Sequence, residues 1–154
     1  MKVRDFMIQD VISARPTMTI RDLLKVFIEH RVGGVPVIDE QNKLLGMVSD
    51  GDVIRYLAPR AEAVHDLFFT VYVEQEEKEA EVLSRKIDKT VESMMHRRQK
   101  LFTVNEDDEF EEAIRILSQH HFKKLPVLDG GHRVVGVISR GDIIHNLAKI
   151  ITKK

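Results

Sequence analysis

Two short motifs pair a serine with an aspartate three positions later, and each stands where a strand-like run meets a helix-like run. The first is Ser49-Asp50-Gly51-Asp52, and the second, ninety residues further on, is Ser139-Arg140-Gly141-Asp142. The first backbone N–H groups of a helix are unpaired and its dipole is positive there, so this position attracts phosphate. The aspartate of each motif offers a carboxylate that can accept hydrogen bonds from two ribose hydroxyls. The motifs therefore predict two sites for a ligand that carries ribose and phosphate.

The same spacing fits an alternative without a ligand. Ser-x-x-Asp closely resembles the capping box, in which a serine and a later carboxylate satisfy backbone N–H groups at a helix start. A glycine recurs between the two residues, at Gly51 and Gly141, and a cap requires no glycine. The repeated glycines favour the ligand hypothesis, while a purely structural cap stays an alternative for one of the two copies.

The two motifs lie within a longer internal repeat. Residues 35–54 read VPVIDEQNKLLGMVSDGDVI, and residues 125–144 read LPVLDGGHRVVGVISRGDII. Two copies imply two similar units and two similar sites related by a pseudo-twofold axis. Gly46 and Gly136 interrupt the apolar run before each serine, which predicts that another group approaches the backbone there.

Each copy is predicted to fold as β-α-β-β-α, from apolar runs typical of strands and apolar residues at helical spacing. The predicted strands are residues 11–14, 35–38 and 44–49 in the first copy and 101–104, 125–128 and 134–139 in the second. Residues 3–7 are predicted to form a helical lead-in, and the later helices begin after a cap at Thr17 or Thr19, near Asp50, after a cap at Asp107 or Asp108, and near Gly141. The proline in each first long strand predicts an edge position or a strand start.

An unrepeated segment separates the two copies. The predicted boundaries are residues 1–57 for the first repeat, 58–88 for the segment and 89–154 for the second repeat. Strong helix formers and opposite charges at helical spacing predict a helix after Glu74. Residues 67–73 are β-branched and aromatic, so helix and strand both stay open for them, as do packing on the core and a contact between chains.

Composition excludes several classes of function. The formal net charge is −1 and there is no cysteine, so disulfides and thiolate sites are excluded and no basic field favours nucleic acid. No apolar run reaches the roughly 20 residues that span a bilayer, which predicts a soluble, cytoplasmic protein without a membrane partner. His120 and His121 are adjacent and would point about 100° apart on a helix, so no metal site is predicted. Without a catalytic motif, the protein is predicted not to be an enzyme.

The sequence VPVID with a following GMVSDGD, repeated as LPVLD with GVISRGD, resembles a tandem pair of CBS (cystathionine β-synthase) domains, also called a Bateman module. The resemblance covers both repeats and leaves out the segment between them. It implies an α+β fold of two pseudo-symmetric β-α-β-β-α repeats packed sheet to sheet. It also implies a homodimer and a regulated protein partner that the sequence does not identify.

By this resemblance the chain is a regulatory module that binds AMP, ADP or ATP in two clefts between the repeats and requires no cofactor. Asp52 and Asp142 would hold the ribose, and Ser49 and Ser139 would help with ribose or phosphate. The residues implied to enclose the adenine or to line the clefts are Ile12, Ser13, Val35, Pro36, Phe102, Thr103, Leu125 and Pro126. Two alternatives stay open: a structural or protein-interaction module without a small ligand, and a sensor of an S-adenosyl ligand.

The two copies differ in charge around the motif. Lys123-Lys124 and Arg140 in the second copy stand where the first copy has Gly33-Gly34 and Asp50. In CBS pairs that resemble this one, basic residues at these positions reach the phosphates of the nucleotide held by the other repeat's aspartate. The resemblance therefore implies that the Asp52 cleft binds phosphate more strongly than the other cleft. A solvated loop after a helix is the alternative for the two lysines.

Overall fold

The computed structural model describes residues 1–58, 80–95, 100–120 and 123–153. The chain forms two compact units. Unit 1 comprises Met1–Ser13, Pro36–Met47 and Arg98–Lys154, and unit 2 comprises Ala14–Val35 and Val48–Arg97. Residues 67–73, for which the sequence leaves helix and strand open, lie outside the described residues. The predicted ranges of the two repeats and of the segment between them remain predictions.

The chain contains both helices and strands, in agreement with the α+β prediction. The helices are α1 (Ile20–His30), α2 (Asp50–Leu57), α3 (Val91–Met94), α4 (Phe110–Gln119) and α5 (Arg140–Thr152). The strands are β1 (Gly34–Ile38), β2 (Leu44–Ser49), β3 (Val104–Asn105), β4 (Lys124–Leu128) and β5 (Val134–Ser139). A 3-10 turn spans Val3–Asp5, and residues 80–86 are helical, in agreement with the helix predicted after Glu74. None of the helices described is long and apolar enough to cross a bilayer.

The second repeat contributes a three-stranded sheet in the order β3-β4-β5. Strand β3 runs parallel to β4, with Val104 beside Val127, and β5 runs antiparallel to β4. The prediction of an edge position or a strand start is wrong for Pro126, because β4 lies in the centre of the sheet and Pro126 is its third residue. The pairing with β3 begins at Val127, one residue after the proline. Pro126 therefore sits where the missing N–H is not needed by that neighbour.

The first repeat contributes the two-stranded sheet β1-β2. The strand predicted over residues 11–14 is wrong, because only Ala14 makes an isolated bridge. The N–H of Val11 donates to the carbonyl of Gln9 at 3.0 Å, so the chain turns tightly where the strand was expected to begin. In the second repeat, the strand predicted over residues 101–104 is reduced to Val104–Asn105.

The predicted helix caps have different outcomes in the two repeats. Thr19 caps α1, since its Oγ1 accepts a hydrogen bond from the N–H of Asp22 at 3.1 Å. The cap predicted at Asp107 or Asp108 is wrong: Glu109 precedes α4 and makes no side-chain cap. The Asp108 carboxylate instead accepts the N–H of Asn105 at 2.9 Å and holds the turn before the helix.

The N-terminal segment of unit 1 packs on the second repeat. The N–H of Phe110 donates to the carbonyl of Met1 at 2.9 Å and thereby satisfies a free donor at the start of α4. The rings of Phe6 and Phe110 stack with centroids 3.9 Å apart. They belong to a core cluster formed by Val3, Phe6, Val104, Phe110, Ala113, Ile116, Leu117, Leu125, Val127, Ile138 and Ile143.

The same segment explains Gly136. Ile8 pairs with Val137 in an isolated antiparallel bridge. A Cβ at Gly136 would lie 2.5 Å from the sulfur of Met7 and 3.1 Å from the carbonyl oxygen of Ile8. The prediction that a group approaches the backbone at Gly136 is confirmed, and the group belongs to the protein's own N-terminal segment.

Unit 2 is built on α1 and the segment after residue 86. Buried Ile20, Leu23 and Phe27 form the inner face of α1, and Ile28 is exposed. The N–H of Ile20 donates to the carbonyl of Lys89 at 2.9 Å. These contacts bring the start of α1 against the chain that leads into α3, and thereby fix the orientation of α1 within the unit.

Candidate functional site

The first of the two Ser-x-x-Asp motifs belongs to unit 2 and forms the junction between β2 and α2. The Oγ of Ser49 accepts the N–H of Asp52 at 3.2 Å, and Oδ2 of Asp52 accepts the N–H of Ser49 at 2.9 Å. The hydroxyl of Ser49 also lies 3.1 Å from Oδ2. Serine and aspartate thus satisfy each other's backbone N–H groups, which is the capping box.

The second motif, in unit 1, has the same geometry between β5 and α5. The Oγ of Ser139 accepts the N–H of Asp142 at 3.1 Å, and Oδ2 of Asp142 accepts the N–H of Ser139 at 3.1 Å and its hydroxyl at 2.7 Å. The cap that the sequence left open for one copy is therefore present in both. The cap engages Oδ2 of each aspartate, so Oδ1 is the oxygen that remains for a ligand.

The Oδ1 atoms differ between the two copies. Oδ1 of Asp52 accepts a hydrogen bond from Nη2 of Arg55 at 2.7 Å. Within the part of the chain that the structure describes, Oδ1 of Asp142 accepts no hydrogen bond, and His145 occupies the position equivalent to Arg55. Arg55 is a functional candidate that the sequence reading missed, although its spacing of three from Asp52 on a helix was a usable signal.

The residues that carry the charge difference occupy one backbone turn in each copy. In unit 1 the N–H of Arg140 donates to the carbonyl of Lys123 at 3.1 Å. In unit 2 the N–H of Asp50 donates to the carbonyl of Gly33 at 2.8 Å. The structure therefore brings Lys123 and Arg140 together, and it places Gly33 and Asp50 together in the equivalent turn.

Side chains around these turns have distinct surroundings. The guanidinium of Arg140 donates to the carbonyl of His120 at 3.1 Å. Lys123 is exposed, and Lys124 at the start of β4 is half-buried. A Cβ at Gly33 would lie 2.9 Å from Oδ2 of Asp50, so the glycine leaves room for that carboxylate. The first copy presents a carboxylate at its helix start and the second presents a guanidinium.

The residues implied to surround the adenine fall into two groups. The ring of Phe102 lies against the ring of His120, with centroids 4.1 Å apart and planes tilted by 38°, and Nζ of Lys100 lies 5.2 Å from the Phe102 centroid. Ile12, Ser13 and Thr103 are half-buried. The remaining four side chains, which belong to the buried interior, are Val35, Pro36, Leu125 and Pro126.

One pair of repeated residues has a structural role instead. Oδ1 of Asp129 accepts the N–H groups of Gly131 and Arg133 at 2.9 and 3.0 Å, and Oδ1 of Asp39 makes equivalent bonds in the first hairpin. The backbone N–H groups of Arg133 and Gly131 hold the pKa of the Asp129 carboxyl below its usual value. These aspartates recur because each one closes a hairpin turn.

A duplicated α+β repeat with one Ser-x-x-Asp cap in each copy defines a tandem-repeat protein with two equivalent helix-start sites. The family model of the CBS domain matches residues 3–59 and 91–149, which is more than half of the chain. The chain therefore belongs to the CBS domain family and carries two CBS domains in tandem.

Relatives from one plant illustrate the match. The chain is 30% identical to the CBS domain-containing protein CBSX1, chloroplastic, of Arabidopsis thaliana, over 92% of this chain and 61% of that protein. It thus spans less than two thirds of that relative's length. The crystal structure of the CBS-pair protein CBSX2 from Arabidopsis thaliana is similar with a TM-score of 0.74 and 27% identity, over 98% of this chain and 96% of that one. A structure of CBSX2 in complex with AMP matches with a TM-score of 0.73 and 27% identity, over 97% of both chains.

Proposed function

We propose that the protein is a non-catalytic regulatory module that binds an adenine nucleotide (AMP, ADP or ATP) through Asp52 and Asp142. The observation that carries the proposal is the matched geometry of the two motifs. Each places a half-buried aspartate in the first turn of a helix, with one carboxylate oxygen outside the cap. The AMP complex of the 27% identical CBSX2 supports an adenine ligand for this chain.

The two sites are proposed to differ in phosphate affinity. Lys123, Lys124 and Arg140 would add cations to the nucleotide held by Asp52, while Asp50 would add a carboxylate near the other. Cations bind phosphate through charge-assisted hydrogen bonds, which are roughly twice as strong as neutral ones. The Asp52 site is therefore the stronger site for a phosphorylated ligand.

Regulation would work by a shift of population. A ligand that binds one conformation more tightly than another increases the occupancy of the first. A partner protein that recognises the favoured conformation then responds to the nucleotide concentration. The partner is proposed to lie outside this chain.

A thermal-shift panel tests the ligand class. At about one hundred times its dissociation constant, a ligand that binds only the folded state adds roughly 2.7 kcal/mol of stability, equivalent to about 5 to 10 °C in Tm for a chain of this size. AMP, ADP or ATP is expected to produce such a shift, and GTP is expected to produce a smaller one. A shift with S-adenosylmethionine alone would identify an S-adenosyl sensor instead.

The two capping boxes favour one second candidate, a structural or protein-interaction module. In that case Ser49, Asp52, Ser139 and Asp142 serve only to start their helices. The same panel separates the candidates, because a module of this kind would show no shift with any nucleotide.

A homodimer is the assembly that we propose. Ile54 in α2 and Ile144 in α5 occupy equivalent positions in the two repeats, and their side chains are 68% and 66% exposed. Exposed isoleucines at matching positions suit an apolar contact between two copies of the chain.

A charged residue introduced into such an apolar contact is expected to weaken the association of the two copies. Ile54→Asp and Ile144→Asp should each weaken self-association at least tenfold, because an unpaired carboxylate would be buried at the contact. Sedimentation velocity over a concentration series measures the change. Ile28→Asp is the matched control, since Ile28 is a helical isoleucine that is 79% exposed. Equal sedimentation of all three variants and the wild type would rule out this interface.

A further inference from the structure

Arg55 closes the free carboxylate oxygen of one motif. Its Nη2 donates to Oδ1 of Asp52 at 2.7 Å, while Oδ2 of the same carboxylate is engaged in the cap. The guanidinium lies over the first turn of α2: a Cβ at Gly51 would be 3.2 Å from Nη1 and 3.5 Å from Nη2. Gly51 therefore leaves the space that Arg55 uses, which is a role that the cap itself does not require.

The second motif lacks this arrangement. His145 takes the place of Arg55, and a Cβ at Gly141 would meet only Oγ of Ser139, at 3.8 Å. Among the described residues, Oδ1 of Asp142 accepts no hydrogen bond, and Asn146 bonds only the backbone carbonyl of Asp142, at 2.8 Å. The same carboxylate is thus covered in one copy and open in the other.

We propose that Arg55 is a specificity-determining residue that makes the Asp52 site select phosphorylated nucleosides over unphosphorylated ones. The inference rests on the proposed function, because it assumes that ribose hydroxyls bind to this carboxylate. Oδ1 has two lone pairs, so two ribose hydroxyls that both donate to it must displace Arg55. A neutral nucleoside offers the displaced guanidinium nothing in return, whereas a nucleotide offers a phosphate. At Asp142 no such competition takes place.

The size of the effect follows from the exposure of the pair. Arg55 has 71% of its side chain exposed and Asp52 has 27%, so water screens their attraction. Ion pairs of this kind change equilibria by about two- to fivefold. Because the pair is screened further by salt, the competition should also weaken as ionic strength rises.

Calorimetric titration of the full-length chain with adenosine and with AMP tests the proposal. The Asp142→Ala background leaves only the Asp52 site. In this background, Arg55→Ala should raise the affinity for adenosine about two- to fivefold and lower the affinity for AMP. Raising the salt concentration should raise the affinity for adenosine while Arg55 is present and leave that affinity unchanged in Arg55→Ala. If the Asp142→Ala background fails to fold, Arg55→Ala alone is titrated with adenosine at low and high salt and is expected to lose the same salt response.

The second copy provides the reciprocal variant. His145→Arg in an Asp52→Ala background should weaken adenosine by a similar factor, because it recreates the arginine three residues after the aspartate. Unchanged adenosine and AMP affinities in both the Arg55 and the His145 variants would overturn the inference and leave nucleotide binding intact. If the wild type bound none of AMP, ADP and ATP, the proposed function would fail and the role of Arg55 with it.

Discussion

Replacing Asp52 with alanine is expected to weaken AMP binding by about ten- to a hundredfold, and by more than Asp142→Ala does. A hydrogen bond to a charged group contributes roughly 1.5 to 3 kcal/mol, and loss of the Asp52 carboxylate removes such bonds to the ribose. The larger effect falls on Asp52 because this site is proposed to hold the nucleotide whose phosphates are bound by Lys123, Lys124 and Arg140. Isothermal titration of each variant with AMP measures the two losses separately.

The chain contains the control for this comparison. Both aspartates accept the N–H of their serine through Oδ2, at 2.9 and 3.1 Å, so both substitutions remove the same part of a capping box. Each loss should cost about 1 kcal/mol of folding free energy. Asp52→Ala also removes the exposed ion pair with Arg55, so urea unfolding of the two variants is expected to give stabilities within about 1 kcal/mol of each other. A larger difference in AMP affinity then reports the ligand site. Equal losses of AMP affinity would contradict the proposed difference between the sites.

The elements around the motifs could be predicted from local sequence. Strand β2 begins and ends at the predicted residues, Leu44–Ser49, and helix α2 begins at the predicted residue, Asp50. An apolar run of strand length, followed at once by a capping serine and a helical pattern, carries this information within a few residues. The same pattern recurs at β5 and α5, which independently supported the prediction of a strand followed by a helix.

The two errors have different physical origins. The aspartates before α4 look like caps in the sequence, but the carbonyl of Met1 satisfies the N–H of Phe110, more than one hundred residues away. No local pattern encodes that contact. Residues 11–14 are apolar enough for a strand, but a hydrogen bond between near neighbours, from Val11 to Gln9, turns the chain there.

The sequence predicted some residues of the candidate site and missed others. The sequence identified Ser49, Asp52 and their repeats because identical spacing twice is improbable by chance. It missed Arg55 because residue 145 of the second copy is histidine, so a search for shared residues passes over it. Identities between the copies indicate residues with one role in both, whereas differences between the copies indicate where their specificity differs.

The stacked pair Phe6 and Phe110 carries the second large prediction, which concerns stability. Phe6→Ala is expected to lower the free energy of unfolding by about 3 to 5 kcal/mol, the usual cost of removing a buried phenylalanine side chain. Phe6 is only 8% exposed, and its ring centroid lies 3.9 Å from that of Phe110. The substitution would leave a cavity between the N-terminal segment and α4, next to the carbonyl of Met1 that satisfies the helix start.

Urea unfolding followed by circular dichroism measures the loss, and Ile28→Ala is the matched control. Ile28 is 79% exposed on α1, so the control should stay within about 0.5 kcal/mol of the wild type. A result for Phe6→Ala within 1 kcal/mol of the control would mean that the N-terminal segment contributes little to the core of unit 1. The expected large difference would instead indicate that residues 1–7 stabilise the core of the second repeat. The segment supplies the ring of Phe6, the carbonyl that accepts the N–H at the start of α4, and the Met7 side chain that lies beside Gly136.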